Sequence, residues 1–243
     1  MKKQNDILEL GIYEVSRDYI NHLRQVDSKV EKSDGKNYVN ERKYLAITLN
    51  NGKEYLIPFS SPKSNDYEPN GKIRKSIPPI IRITSKDSFG KIQLHGKLKT
   101  SSMIPIYSIK EIKKYDITKE KDLKYQELMY NEIKFISKNK DIIKKLANQL
   151  YNEKLANLNK GYIKHTVDFK KLEKAALEYS KVRNLSNSID SPKEISSLGN
   201  KKVTININQS KSNKITVKQA SRSNTVKVKA KKLSKDKGND HEL

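Results

Sequence analysis

The sequence predicts an α+β fold: a domain of mostly antiparallel strands followed by helices, with a basic tail. Three observations support this fold class. Short strand-like runs fill the first half of the chain, an Asn-Gly pair joins two of them, and the apolar period becomes helical from about residue 122. Runs of strands followed by helices are typical of α+β rather than doubly wound α/β domains. We expect a folded domain over residues 1–182 and a basic, low-complexity, flexible tail over residues 183–243.

The first predicted elements are a strand, a capped helix and a hairpin. Residues 7–15 have the composition of a strand, and Ser16 precedes apolar residues at helical spacing, which is typical of a helix N-cap. In KYLAITLNNGKEYLIPF two β-rich runs flank Asn51-Gly52, the pair preferred in two-residue hairpin turns. Further strands are predicted at 78–84, 90–98 and 102–109.

The second half of the chain is predicted to be helical. Apolar residues recur at helical spacing from Asp122 to Lys154, as one long helix or as two that meet near Asn139, and a last helix begins near Asp168. From Asn184 onwards thirteen Lys and Arg stand against five Asp and Glu, and large apolar side chains are scarce. Such a segment buries too little apolar surface to offset its ordering entropy, so we expect it to stay flexible.

The charge balance indicates a polyanionic partner. Fifty-one Lys and Arg against 28 Asp and Glu give a net charge of +23, and such a field attracts nucleic acid. No apolar run reaches the roughly 20 residues of a spanning helix, and the N-terminus lacks a secretory pattern. We therefore expect a cytoplasmic protein that does not bind membranes.

Several enzyme classes are disfavoured by the residues that the chain lacks. There is no cysteine, and the four histidines are scattered, which disfavours disulfides, thiolate nucleophiles, metal sites and a ribonuclease built on two histidines. The nucleophile elbow G-x-S-x-G, the phosphate loop and the dinucleotide motif G-x-G-x-x-G are also absent. The remaining candidate chemistry consists of hydroxyls and cations.

These groups are predicted to meet at one end of the hairpin. The segment FSSPK, residues 59–63, ends a strand with two hydroxyls and a lysine. Because residues equally far from a two-residue turn lie opposite one another, we expect Lys43 to be level with Ser60, beside Arg42. Cations there would offset charge on a phosphorane, and hydroxyls would orient a phosphate or ribose. A plain surface turn has the same composition, so the residues alone leave both interpretations open.

A series of segments resembles the ToxN/AbiQ family of type III toxin–antitoxin ribonucleases. In order they are IYEVSRDYINHLRQVDSKV, YLIPFSSPK, KIQLHGKL followed by SMIPI, and YQELMYNEIKFISKNKDII. The resemblance covers residues 10–182, and its most specific part is Y-L-x-P-[LF]-[ST]-S-P-K. It implies a strongly twisted antiparallel sheet surrounded by helices, similar to MazF/Kid-type toxins.

The resemblance also implies a function. It implies an endoribonuclease that uses no metal or other cofactor and cuts cellular or phage mRNA by attack of the 2′-OH, leaving 2′,3′-cyclic phosphate ends. A small repeated RNA, often a pseudoknot, would inhibit the toxin and assemble with it into a closed ring, and the biological role would be phage defence by abortive infection. A non-catalytic, basic RNA- or DNA-binding protein is the alternative that composition alone leaves open.

Matching positions then give candidate site residues. The threonine-serine-proline-lysine segment of the family falls on Ser60, Ser61, Pro62 and Lys63, and Ser60 keeps the hydroxyl. The tyrosine and lysine that precede the hairpin fall on Tyr38 and Arg42, or on Lys43 after a shift of one residue; the helix aromatic falls on Phe135. The resulting catalytic set is Lys63, Ser61, Ser60 and Arg42, and the RNA-binding set is Tyr38, Lys43, Phe135 and Tyr19.

Overall fold

The computed structural model describes residues 10–32 and 42–189, with side chains up to residue 183. Tyr38, the start of the first predicted strand and the tail from Asp190 lie outside the described residues. The described helices and strands occur in the order β1 (Ile12–Val15), α1 (Arg17–Val26), β2 (Lys43–Thr48), β3 (Glu54–Ser60), β4 (Ile81–Lys86), β5 (Ile92–Leu98), β6 (Ile104–Pro105), β7 (Ile112–Lys114), α2 (Leu123–Leu155) and α3 (Phe169–Ile189).

Within these ranges the strands form one seven-stranded antiparallel sheet, which confirms the α+β class. The strand order is β4-β5-β3-β2-β1-β7, and β6 pairs with β3. Helix α2 packs on β4 and β5, whereas α3 packs on α1 and β6. Strand β7 was not predicted, because its short sequence Ile-Lys-Lys has a single apolar residue. None of the described helices is both long and apolar enough to cross a bilayer.

The β2–β3 hairpin forms where it was predicted, but its loop has three residues. Leu49 N–H donates to Lys53 C=O at 2.8 Å, and Gly52 closes the loop with a φ of 76°. Tyr44 therefore lies opposite Pro58, and the same register puts Arg42, not Lys43, opposite Ser60. The predicted level of Lys43 with Ser60 is thus wrong by one residue. Because strand side chains alternate between faces, that single step moves Lys43 to the other side of the sheet.

The helices begin and bend where the sequence indicated. The Ser16 hydroxyl accepts a hydrogen bond from Tyr19 N–H at 3.3 Å, as an N-cap does. Asn139 has non-helical dihedrals inside α2 (φ −121°, ψ 17°), and its amide nitrogen donates to Phe135 C=O at 2.8 Å. The Asp168 carboxylate accepts from Lys171 N–H at 3.1 Å and caps α3. Helix α3 continues to Ile189, beyond the predicted domain boundary at residue 182.

Strand β3 is the element that positions the site. Every side chain from Tyr55 to Phe59 is buried, and the strand is paired on both edges, with β2 on one and with β5 and β6 on the other. Near its start, Tyr55 packs edge-on against Tyr151 and Phe169, with ring centroids 5.8 Å apart in both pairs. The strand is therefore fixed along its length, and its polar continuation leaves the sheet at a defined corner.

Candidate active site

The segment Ser60–Lys63, hereafter the hydroxyl–lysine corner, follows β3 out of the sheet. Ser60 pairs with Lys97 of β5, whereas Ser61 and Lys63 are exposed. Arg42 lies beside this exit, because its Nη1 donates to Phe59 C=O at 2.7 Å. The structure therefore brings together the four residues that the sequence assigned to catalysis.

A buried carboxylate holds the corner in place. Asp66 is 1% exposed, and its Oδ2 accepts from Lys63 N–H at 2.9 Å and from the Lys97 ammonium. Arg82 Nη2 lies 3.1 Å from the other oxygen, Oδ1. Burial raises the pKa of Asp66, but the hydrogen bonds from Lys97 and Lys63 and the charges of Lys97 and Arg82 outweigh it, so the pKa lies below its ordinary value. We call Asp66, Lys97 and Arg82 the Asp66 clamp.

A second carboxylate, Glu31, lies among cations on the same side. It accepts a hydrogen bond from the Lys99 ammonium, and Arg42 Nη2 lies 3.5 Å from its other oxygen. Burial raises the pKa of Glu31, but the hydrogen bond from Lys99 and the charges of Lys99, Arg42 and Lys63 hold it below its ordinary value. Arg42 is 8% exposed and also donates to Lys32 C=O at 2.9 Å. Its contacts are therefore those of a positioning residue.

The site carries an excess of positive charge. Five cations, namely Lys63, Lys97, Lys99, Arg42 and Arg82, lie around the two carboxylates Asp66 and Glu31, and the last four are ion-paired with them. Of these five, as far as the described residues show, only the Lys63 ammonium has neither a hydrogen bond nor an ion pair. An exposed, unpaired lysine beside two hydroxyls is suited to contact a phosphate.

Two residues assigned to RNA binding are buried instead. Lys43 is 4% exposed; its ammonium lies 2.5 Å from Glu14 Oε1 and 4.6 Å from the centroid of the Tyr115 ring. Tyr19 is 1% exposed and donates from its hydroxyl to Pro105 C=O at 2.7 Å. Neither side chain is presented to solvent, so both assignments are corrected: Lys43 and Tyr19 stabilise the fold.

Phe135 lies in a groove between β4 and α2. The ring is half-buried, and the groove has a volume of about 480 Å³. It offers three lysines and several amide or hydroxyl groups besides the aromatic ring: Thr84, Ser85, Lys86, Asn131, Lys134, Lys138 and Asn139. Its first residue on β4, Thr84, follows Arg82 of the clamp by two positions along the strand. The RNA-binding assignment of Phe135 stays a prediction.

Glu132 is a buried acid behind the corner. It is 4% exposed, and within the described ranges it has no hydrogen bond or ion pair. Its Oε1 occupies the space that a Cβ on Gly96 would need, and Ser60 C=O lies 3.5 Å from the same point. Burial raises the pKa of Glu132 to about 8. The Glu132 carboxyl is therefore protonated and neutral below about pH 8.

We expect Glu132→Gln to stabilise the protein at alkaline pH. The pKa of about 8 in the folded state exceeds the ordinary 4.5, so the contribution of the neutral acid is complete below pH 4.5 and is lost as pH rises towards 8. The loss amounts to as much as about 5 kcal/mol, and the glutamine variant does not suffer it because its amide does not ionise. Melting temperatures from pH 5 to 9 should diverge between wild type and variant, whereas exposed Glu178→Gln should follow the wild type. Parallel curves for Glu132→Gln would contradict this account.

The sequence interpretation missed the groups that hold the corner. Asp66 follows Lys63 by three residues and accepts from its N–H, which is the spacing of a capping interaction and a signal that could have been read. Arg82 stands in the otherwise apolar run IIRI, where a charge indicates either an edge or a buried pair, and Lys97 lies between Gly96 and Leu98 at the end of β5. Among the described residues no group of three or more histidines, aspartates and glutamates could hold a metal ion.

Comparison with known proteins defines the class. The family model for the toxin ToxN of type III toxin–antitoxin systems matches residues 11–177. Endoribonuclease ToxN of Pectobacterium atrosepticum is 27% identical over 173 residues, which are 71% of this chain and 95% of that protein. Endoribonuclease ToxN of Bacillus thuringiensis subsp. kurstaki is 28% identical over 189 residues, which are 74% of this chain and 89% of that protein.

Two solved structures share the fold. One, from a bacterial antiviral system regulated by a processed non-coding RNA, has a TM-score of 0.60 and 26% identity over 70% of this chain and 98% of its own. The other, from work on type III systems with selective toxin inhibition by a non-coding RNA pseudoknot, has a TM-score of 0.55 and 26% identity over 70% and 97%. A basic α+β protein with these relatives is an endoribonuclease toxin. The chain belongs to the ToxN toxin family of type III toxin–antitoxin systems.

Proposed function

We propose that the hydroxyl–lysine corner cuts RNA without a metal ion, using the ribose 2′-OH of the substrate as nucleophile. In this step the 2′-OH loses its proton as its oxygen bonds to phosphorus, and the 5′-oxygen gains a proton as its bond to phosphorus breaks. The products are a 2′,3′-cyclic phosphate and a 5′-hydroxyl. Because the nucleophile belongs to the substrate, the protein needs to supply alignment, proton transfer and charge stabilisation.

The observation that carries this proposal is the exposed Lys63 side chain, which follows two serine hydroxyls and whose backbone N–H is held by the Asp66 carboxylate. Lys63 stabilises the charge on the phosphorane or protonates the leaving 5′-oxygen. Ser60 and Ser61 orient the phosphate, and Arg42 fixes the end of β3 through Phe59 C=O. The polar side chains of the corner itself are the Lys63 ammonium and the serine hydroxyls, a set that suits a phosphate.

We further propose that an RNA antitoxin, small, repeated and folded as a pseudoknot, inhibits this chain and assembles with it into a closed ring. The basic groove between β4 and α2 and the net charge of +23 provide surface for an RNA larger than the substrate strand. Cellular or phage mRNA is the proposed substrate, and its cleavage in the cytoplasm would serve phage defence.

Digestion of total RNA in the presence of EDTA tests the mechanism. We expect cleavage to persist at unchanged rate, and the 3′ ends to resist ligation until the cyclic phosphate is removed, while the 5′ ends accept phosphate from a kinase. Loss of cleavage in EDTA that magnesium restores, or products with 5′-phosphates, would contradict the proposal, because both indicate attack by a metal-activated water.

A further inference from the structure

The tip of the β4–β5 hairpin carries the most exposed large apolar side chain among the described residues. Phe89 is 95% exposed, and Ile92, at the start of β5, is 55% exposed. Single exposed apolar residues are ordinary on protein surfaces. Phe89 differs because of the way the turn holds it and because of the charges beside it.

The turn is organised around one carboxylate. Asp87 Oδ1 accepts from the N–H groups of Phe89 and Lys91, both at 2.9 Å, and Gly90 N–H donates to Asp87 C=O at 3.0 Å. Gly90 has a φ of 76°, which a residue with a Cβ adopts only with strain. The backbone under the aromatic ring is therefore fixed in advance, so little ordering entropy is lost when the ring binds something.

The same hairpin connects this tip to the candidate active site. At its base Arg82 pairs across the strands with Lys97, and both belong to the Asp66 clamp. Four residues further along, about 13 Å at the rise of a strand, Lys86 lines the groove that contains Phe135. Lys86 and Lys91 are exposed on either side of the turn. The hairpin thus carries two buried, ion-paired cations at its base and two exposed lysines near its tip.

We infer that Phe89 stacks on an unpaired base of the RNA strand that is cut at the hydroxyl–lysine corner, and that Lys86 and Lys91 contact its phosphates. This inference depends on the proposed function for its substrate. Aromatic rings stack on any base, and single-stranded RNA is commonly bound by such rings between cations. A protein partner fits less well, because the exposed large apolar side chains of this hairpin, as far as the structure describes it, are Phe89 and Ile92, whereas stable protein interfaces bury on the order of 1,200 Å².

The test measures binding of the full chain to an unstructured RNA whose riboses are 2′-O-methylated and therefore cannot be cut. We expect Phe89→Ala to weaken this binding about tenfold, as the loss of one base stack does. Phe89→Trp should bind as the wild type does. Leu123→Ala, which removes another exposed apolar side chain at the start of α2, is the matched control and should leave affinity unchanged. A blunt duplex of the same sequence should not distinguish Phe89→Ala from the wild type.

Three results would overturn the inference. Equal affinity of wild type and Phe89→Ala for the single strand refutes the role of Phe89 and leaves the proposed function untouched. If Phe89→Leu binds the single strand as tightly as Phe89→Trp does, the contact is apolar and does not involve stacking, which also refutes the role of Phe89. Failure of the wild type to bind any RNA refutes RNA recognition itself, and with it the proposed function.

Discussion

Replacement of Lys63 by alanine is expected to lower the rate of RNA cleavage by about 10²- to 10³-fold, the usual effect of removing one group that stabilises a charged transition state. The fold should be unaffected, because the Lys63 ammonium has no hydrogen bond or ion pair with a described residue, and its N–H bond to Asp66 belongs to the backbone. Single-turnover cleavage of a labelled RNA measures the loss, and circular dichroism checks the fold.

Binding separates this result from a general loss of charge. Affinity for an uncleavable RNA should fall only slightly in Lys63→Ala, since the exposed lysines of the groove, Lys86, Lys134 and Lys138, remain. Lys72→Ala removes an exposed lysine from the loop that follows the corner and should cleave at the wild-type rate. Cleavage by Lys63→Ala within a few-fold of that rate would remove Lys63 from the mechanism.

Asp66→Asn is expected to destabilise the protein by about 3–5 kcal/mol, because the change leaves two buried cations without their counter-charge. Lys97 is 4% exposed and Arg82 6%, so water cannot replace the carboxylate for either. Urea denaturation measures the free energy of unfolding. A loss below about 1 kcal/mol would mean that the clamp contributes little. The exposed Asp141→Asn on α2 is the matched control and should be neutral.

The wild type and Asp66→Asn also differ in how their stability depends on pH. The pKa of Asp66 lies below its ordinary 3.8 in the folded state, so its contribution is present above that value and is lost as pH falls through the folded pKa. Wild type should lose stability below about pH 4 more steeply than Asp66→Asn. Adding Lys97→Met to Asp66→Asn should recover part of the lost stability, because the double change removes one of the unpaired cations.

The elements could be predicted from sequence where the signal is local. The N-caps at Ser16 and Asp168, the kink at Asn139 and the position of the hairpin all depend on neighbouring residues. The hairpin register could not be predicted in this way, because Asn-Gly closes both two- and three-residue loops. The third residue of the loop shifts the register by one position, and this shift decides which of Arg42 and Lys43 lies opposite Ser60.

The candidate site shows the same division. The segment Ser60–Lys63 could be identified because its residues are contiguous. The roles of Arg82, Lys97 and Lys99 could not be seen, because each depends on a carboxylate far away in the chain, Asp66 or Glu31. Tyr19 was misassigned although its helical spacing with Ile20 and Leu23 already favoured the apolar face of α1; in the structure all three side chains are buried.

Lys63 makes no ion pair with a described residue, whereas Lys97 and Arg82 do, and this difference has a genetic consequence. A missense change in codon 63 should abolish RNA cleavage without unfolding the protein, and the inactive protein should still bind the proposed RNA antitoxin. Under selection against the toxin, codon 63 should therefore accumulate substitutions that leave a folded but inactive protein. Substitutions in the Asp66 clamp should instead give unfolded protein that proteases degrade.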